Sequence, residues 1–249
     1  MVTIICKNRQ FDHVQGIIFD KDGTLENSQD YLRELGLKRV RLIDAQIPGI
    51  GEPLLMAFGI TENKLDPTGL MAVGSRLENK IAAAAYIAET GRSWFEALTI
   101  AQNAFNEADK YLQSNRKTSP LFTGCLEVLR DLAGGGLKLG ILSADSRENV
   151  KNFVEIHQLS NYIHLAMGTD QGLHKPDPEL FIQACHQLGV VPEYTLMVGD
   201  AQGDLEMARQ AKAAGVIGIC WTHSQAVHLE QADVFITQLD QIQIVNTQA

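Results

Sequence analysis

Short apolar runs that stop abruptly at polar residues recur along this chain. Gly16-Ile17-Ile18-Phe19 halts at Asp20, Leu137 to Leu142 at Ser143, Leu196 to Val198 at Gly199-Asp200, and Val216 to Cys220 near Trp221. Runs of this length, closed by polar or glycine residues, predict strands buried on both faces. Weaker runs at Tyr162 to Met167 and Val234 to Ile236 predict two more. Between them the period is helical. Val128, Leu129 and Leu132 follow Gly124, while Phe181, Ala184, Cys185 and Leu188 follow Asp177-Pro178, an N-cap with a first-turn proline. Strands alternating with helices predict an α/β fold, a Rossmann-like three-layer arrangement with a parallel sheet covered on both faces.

One interval breaks the rhythm. The stretch from Leu25 to Leu142 is far longer than the roughly dozen residues a parallel crossover needs. Inside it, Trp94, Leu98, Ala101, Phe105, Ala108 and Leu112 advance by alternating steps of four and three, which lines one helix face. Leu77, Ile81, Ala84, Ala85 and Ala88 suggest the same for the preceding helix, and Leu32, Leu35, Leu42, Ile43 and Ile47 for an earlier one. Ser75 with Glu78 and Ser93 with Glu96 form capping-box pairs. Residues 29–117 are therefore expected to be an inserted all-helical domain, with 1–28 and 118–249 building the α/β unit. Gly134-Gly135-Gly136 precedes a strand, not a helix, so it reads as a turn and not as a phosphate loop.

Composition narrows the function classes. The chain has 249 residues, 45% hydrophobic and 20% charged, which is ordinary for a globular protein. Its formal charge of −9 argues against a nucleic-acid or anionic-membrane partner, because both need a basic footprint. Cys6, Cys125, Cys185 and Cys220 show no CxxC or zinc spacing and read as core thiols of a reducing compartment. Ile81 to Ala88 falls well short of the roughly 20 residues of a membrane span. Met1 to Phe11 lacks the apolar region of a signal peptide. A cytoplasmic location is expected. Nothing in the chain speaks to its oligomeric state.

The polar residues that end the strands carry the candidate chemistry. Carboxyl ends of parallel strands line one crevice, where ligands bind. Asp20 and Asp22 follow the first strand, Ser143 the second, and Asp200 with Asp204 the third. Four carboxylates would repel one another unless a hard divalent cation relieved them, and Mg²⁺ takes one or two carboxylates plus substrate phosphate. Lys175 lies in His174-Lys175-Pro176-Asp177-Pro178, where the prolines restrict the backbone. Metal, ammonium and hydroxyl around a carboxylate suit a phosphoryl group, whose charge is spread over three oxygens. Asp204 could equally serve its helix as a cap. Asp145 reads as a loop or cap residue and His174 as solvent-facing or supporting. Arg76 stands in the first turn of the Ser75-capped helix, against the helix dipole. It is expected either to meet an anionic substrate or to be ordinary surface charge.

The set Asp20-Lys21-Asp22-Gly23-Thr24, Ser143, Lys175, and Gly199-Asp200-Ala201-Gln202-Gly203-Asp204 resembles, in order and strand context, the four motifs of the haloacid dehalogenase superfamily. The insert falls where that family's C1 cap sits. The resemblance implies that Asp20 is the nucleophile forming an aspartyl-phosphate and that Asp22 is the general acid and base. Ser143 and Lys175 would hold the phosphoryl oxygens. Mg²⁺ would be bound by Asp20, Asp200, the backbone carbonyl of Asp22, and Asp204 directly or in support. Gly23, Thr24, Ala144 and Arg76 are the positions expected to bind substrate. The second aspartate, absent from the family's dehalogenases and phosphonatases, points to a phosphatase of a small phosphorylated metabolite, of the phosphoglycolate type. A helical cap closing over the sheet would favour such compact substrates. A sugar-phosphate mutase of the β-phosphoglucomutase type and a phosphate- or metal-binding module without turnover are the alternatives. Three positions depart from the usual pattern: Lys21 stands where an apolar residue is usual, Asn27 where Asp is frequent, and Ala144 where Asn is common.

Overall fold

The computed structural model of the chain describes residues 2–62, 64–114, 119–169, 172–221 and 227–245. It divides into two compact units, one of Met1–Asn27 with Pro120–Ala249, the other of Ser28–Ser119.

The first unit opens with β1 (Val2–Cys6), β2 (Arg9–Val14) and β3 (Gly16–Phe19). The second unit holds α1 (Gln29–Asp44), α2 (Gly51–Ala57), β4 (Ile60–Thr61), β5 (Lys64–Leu65), α3 (Leu70–Val73), α4 (Arg76–Glu89) and α5 (Trp94–Ser114). The chain then completes the first unit with α6 (Cys125–Gly134), β6 (Lys138–Ser143), α7 (Arg147–Ile156), β7 (Ile163–Gly168), α8 (Pro178–Leu188), β8 (Thr195–Gly199), α9 (Gln202–Gln210), β9 (Gly215–Ile219), β10 (Val234–Ile236) and β11 (Ile242–Val245).

The main sheet has the order β10-β9-β8-β3-β6-β7, and every neighbouring pair is parallel. Side-chain alternation along β3 builds the three layers. Ile17 and Phe19 pack with Val128 and Leu132 of α6 and Phe153 of α7. Ile18 faces the opposite way, with Phe181 of α8 and Met207 of α9. Removing each such side chain from water stabilises the fold by about 1.5–3 kcal/mol. After β3 the chain lays β6 and β7 on one side and then β8, β9 and β10 on the other. The order reverses beside β3, and that reversal opens a crevice at the carboxyl ends of β3 and β8.

The sequence reading misses a second sheet, β11-β1-β2, which is antiparallel. Its signal is broken. In β2 the buried residues Phe11 and Val14 are three apart, because His13 has a positive φ of 59° and the register against β1 shifts.

In the second unit the all-helical expectation needs one correction: β4 and β5 pair as a short antiparallel ribbon, Ile60 with Leu65 and Thr61 with Lys64. Glu62, at φ 46°, turns the chain back, and Ile60 is buried in this unit's core. The helix faces also need correction. Leu77 and Ile81 are 51% and 44% exposed. Ala84 is buried as expected, but the other buried positions of α4 are Asn79, Ala83 and Ile87. Asn79 Nδ2 donates to the Ser75 and Gly74 carbonyls at 2.8 and 3.1 Å, which satisfies the amide N–H groups at an inward position, while its buried Oδ1 has no hydrogen-bond partner among the described residues. On α5 the stripe is buried from Ala97 through Ala101, Phe105 and Ala108 to Leu112, while Trp94 at the helix start is 45% exposed.

Candidate active site

All four motifs lie in the first unit, three at strand ends and Lys175 in the loop between β7 and α8. The Asp20 N–H extends the ladder by donating to the Val198 carbonyl at 2.9 Å, so Asp20 leaves the end of β3 beside β8. Asp20, Asp200 and Asp204 each offer an oxygen, and these oxygens lie within 4.8 Å of one another. Two glycines permit this approach. A Cβ on Gly23, whose φ is 77°, would lie 2.0 Å from Asp200 Oδ2, and one on Gly199 would lie 2.4 Å from Asp204 Oδ2. Thr24 Oγ1 donates to Asp200 Oδ1 at 3.2 Å. Asp204 lies in the first turn of α9, three residues after the N-cap Ala201 and not at the cap itself. Its Oδ2 accepts from the Ala201 N–H at the start of α9, and its Oδ1 lies 2.6 Å from Lys175 Nζ.

Lys175 Nζ also lies 2.5 Å from Asp20 Oδ1. Three carboxylates and one ammonium leave a formal charge of −2 in a buried cluster, which a divalent cation would cancel. Without one, burial drives the Asp20 carboxyl up to about 7, against the opposing pull of Lys175 and with added repulsion from Asp204 and Asp22. Burial, then Asp20 and Asp204, likewise push Asp200 well above the carboxylate range. Burial alone would lower Lys175, but Asp20 and Asp204 outweigh it and hold the ammonium charged. The donors are all hard oxygens, so the cluster fits Mg²⁺.

The Asp22 carboxylate is not in this group. Its Oδ2 lies 2.7 Å from Lys21 Nζ, which also reaches Glu26 Oε2 at 3.0 Å and Asp145 Oδ2 at 3.6 Å. Ser143 is buried at the end of β6, and its Oγ accepts from the Asp145 N–H at 3.1 Å. The Ala144 carbonyl accepts from Thr169 Oγ1 at 3.0 Å. His174 is exposed.

The sequence reading overlooks Glu26 and Trp221. Glu26 is buried against Lys21, and the signal for it is a lysine between two aspartates that must find further counter-charge once buried. Trp221 Nε1 donates to the Thr24 carbonyl at 3.3 Å while its ring stacks on Phe122 at 4.2 Å.

Arg76 belongs to the second unit, where its Nε and Nη2 donate to Asp109 Oδ2 at 3.0 and 2.8 Å and Nη2 to Asn106 Oδ1 at 2.9 Å. A substrate anion would have to compete with that ion pair.

The parallel sheet, its order reversal at β3, and acidic strand ends paired with a lysine define a Rossmann-like α/β enzyme with an inserted, mostly helical unit. The chain belongs to the haloacid dehalogenase-like hydrolase family, whose model matches residues 77–217 and so includes Ser143, Lys175, Asp200 and Asp204. It is a hydrolase, and the curated relatives named here are phosphatases. It is 23% identical to phosphoglycolate phosphatase of Escherichia coli O157:H7, over 94% of this chain and 92% of that one. It is 26% identical to N-acetylmuramic acid 6-phosphate phosphatase of Pseudomonas putida, over 80% and 79%. The fold matches the crystal structure of a predicted phosphoglycolate phosphatase from Haemophilus somnus with a TM-score of 0.65 and 20% identity, covering 90% of this chain and 94% of that one. Among the described residues, no helix is long and apolar enough to cross a membrane.

Proposed function

We propose that this chain is a Mg²⁺-dependent phosphatase that hydrolyses a small phosphorylated metabolite, of the phosphoglycolate type, through an aspartyl-phosphate on Asp20. The observation that carries the reading is the convergence of Asp20, Asp200 and Asp204 around the Lys175 ammonium. Asp20, Asp200, the backbone carbonyl of Asp22 and, directly or in support, Asp204 would hold Mg²⁺. When bound, the cation would neutralise the carboxylates and screen the phosphoryl charge.

An Asp20 oxygen attacks phosphorus, the bond from phosphorus to the ester oxygen breaks, and Asp22 gives its proton to the departing alkoxide. Asp22 then takes a proton from water as the water oxygen attacks phosphorus. The bond to Asp20 breaks, which frees the carboxylate and inorganic phosphate. Lys175 and the Ser143 hydroxyl hold the phosphoryl oxygens, and Gly23, Thr24 and Ala144 shape the loops around them. In this reading the first unit is the catalytic core and residues 28–119 form the cap that selects the substrate. Phosphatase relatives acting on small anionic esters and a charge of −9 support a metabolite over a nucleic acid, and cysteines that form no disulfide support a cytoplasmic setting.

The test is release of inorganic phosphate from a panel of small phosphate monoesters, including an aryl phosphate, with and without Mg²⁺. Release that requires Mg²⁺ supports the reading. Interconversion of hexose phosphates without release would make the chain a mutase. No turnover of any ester would overturn the enzyme.

A further inference from the structure

The lysine between the two motif aspartates is an unusual feature of this chain. Lys21 is buried, its side chain 6% exposed, and its ammonium sits among three carboxylates: Asp22, Glu26 and Asp145. It also lies 5.7 Å from the Phe153 ring centroid, so the long side chain is supported from the core of the first unit. The three acids come from two loops, since Asp22 and Glu26 follow β3 and Asp145 follows β6.

Backbone and side chain of Lys21 act on the same turn. The Lys21 carbonyl accepts from the N–H groups of Leu25 and Glu26 at 3.0 and 2.9 Å, and the Gly23 N–H donates to the Glu26 carbonyl at 2.9 Å. The turn from 21 to 26 is thus closed on itself, and the ammonium ties its two acidic side chains together. Asp145 connects this cluster to the phosphate-holding hydroxyl. Its N–H donates to Ser143 Oγ, while its other carboxylate oxygen accepts from the Ser146 N–H at 2.8 Å and from Asn149 Nδ2 at 2.7 Å. Asp145 is therefore held independently of Lys21 and gives the ammonium a fixed second anchor.

We infer that Lys21 is a positioning residue that aims the Asp22 carboxylate, with Glu26 and Asp145 as the fixed points against which it does so. This rests on the reading of Asp22 as the proton-transfer group. An apolar residue at position 21 could fill the space but would make no charge-assisted bond to the Asp22 carboxylate. The buried ammonium does, because it holds Asp22 at 2.7 Å and Glu26 at 3.0 Å by charge-assisted bonds while Asp145 at 3.6 Å attracts it by charge. The arrangement also explains why Glu26 is buried, since a lone carboxylate there would be costly.

The test uses Lys21→Met, Lys21→Arg and, because Lys21→Met leaves Glu26 without its cation, the double variant Lys21→Met/Glu26→Gln, with Asp22→Asn as reference. Each is assayed on an alkyl phosphate, whose leaving group needs an acid, and on p-nitrophenyl phosphate in rapid-mixing experiments. Misplacing Asp22 should remove part of its roughly 10²–10⁴-fold general acid–base contribution. The expected result is a kcat loss of about 10-fold or more on the alkyl ester with KM little changed, in both Met variants. The p-nitrophenol burst should persist and be followed by a slowed steady state, and Lys21→Arg should recover most of the loss. Equal loss of the p-nitrophenol burst and of steady-state turnover on both substrates would make Lys21 a folding residue only. Wild-type kinetics in the Met variants beside an impaired Asp22→Asn would overturn the inference alone. A fully active Asp22→Asn would overturn the reading of Asp22 and the inference with it.

Discussion

Lys175 Nζ lies 2.5 Å from Asp20 Oδ1 although 155 positions separate the two residues in the chain. The same ammonium reaches Asp204, so one lysine is the counter-charge for two buried acids. Removing one partner of a buried ion pair costs about 3–5 kcal/mol, because the other charge remains buried. Lys175→Met should therefore abolish turnover and lower the melting temperature of the metal-free protein, and added Mg²⁺ should restore part of the loss. Calorimetry in EDTA and in Mg²⁺ checks this. A melting temperature indifferent to both the substitution and the metal would contradict it.

Asp20→Asn and Asp22→Asn should fail differently. Without Asp20 no covalent phosphate can form. Without Asp22 the nucleophile remains, so an aryl phosphate with a good leaving group should still phosphorylate Asp20 and then stall for lack of a base. Intact-mass spectrometry after acid quench should find a phosphate adduct on Asp22→Asn and none on Asp20→Asn. The reverse pattern would exchange the two roles.

The metal-free protein should grow less stable as pH rises from about 4 to about 7. The Asp20 carboxyl ionises near 3.8 when unfolded but only near 7 in the folded cluster, so across that window the folded state binds more protons. Folding is then opposed increasingly as the proton is withdrawn, and above about 7 this contribution stops changing. Asp20→Asn stays neutral throughout. Its melting temperature in EDTA should therefore gain on the wild type between pH 4 and 7, and saturating Mg²⁺ should reverse the trend. A wild-type-minus-variant difference that is flat with pH would show that Asp20 is charged without a metal.

In the second unit, Asp109 is shared between two arginines. Arg39, buried over the Phe105 ring, reaches Asp109 Oδ1 at 3.1 Å, and Arg76 reaches Oδ2 at 2.8 Å. Asp109→Ala would leave the Arg39 charge buried and unpaired, for a loss of about 3–5 kcal/mol. Arg76 is 41% exposed, so Arg76→Ala should cost about 1 kcal/mol or less through the ion pair. Denaturant titration separates the two. If Arg76→Ala also raises KM for an anionic ester but not for an aryl phosphate, Arg76 meets substrate as well.

The inner strands β3, β6, β8 and β9 were legible because they are buried on both faces and so read as apolar runs closed by a polar or glycine residue, whereas the edge strands β7 and β10 are partly exposed and gave weaker runs. The motif residues after β3, β6 and β8 were legible because the carboxyl ends of parallel strands line one edge of the sheet, a position that sequence order alone reveals. The β11-β1-β2 sheet was hidden, since His13 breaks the alternation along β2 and β11 lies at the far end of the chain. The buried face of α4 was hidden too. Leu77 and Ile81 look like core by type, but Asn79 turns inward, where backbone carbonyls accept from its amide nitrogen.

By itself the amino-acid sequence determined which groups stand at the strand ends, that a long insert interrupts the sheet after its first strand, and that carboxylates, a lysine and a hydroxyl are available for phosphoryl chemistry. The tertiary structure decided how those charges are shared. Lys175 is paired with Asp20 and Asp204, Lys21 with Asp22, Glu26 and Asp145, and Arg76 with Asp109. Spacing along a chain cannot encode such pairings. They follow from which loops the sheet order brings side by side, and in a buried site each charge must take the partner that lies within reach.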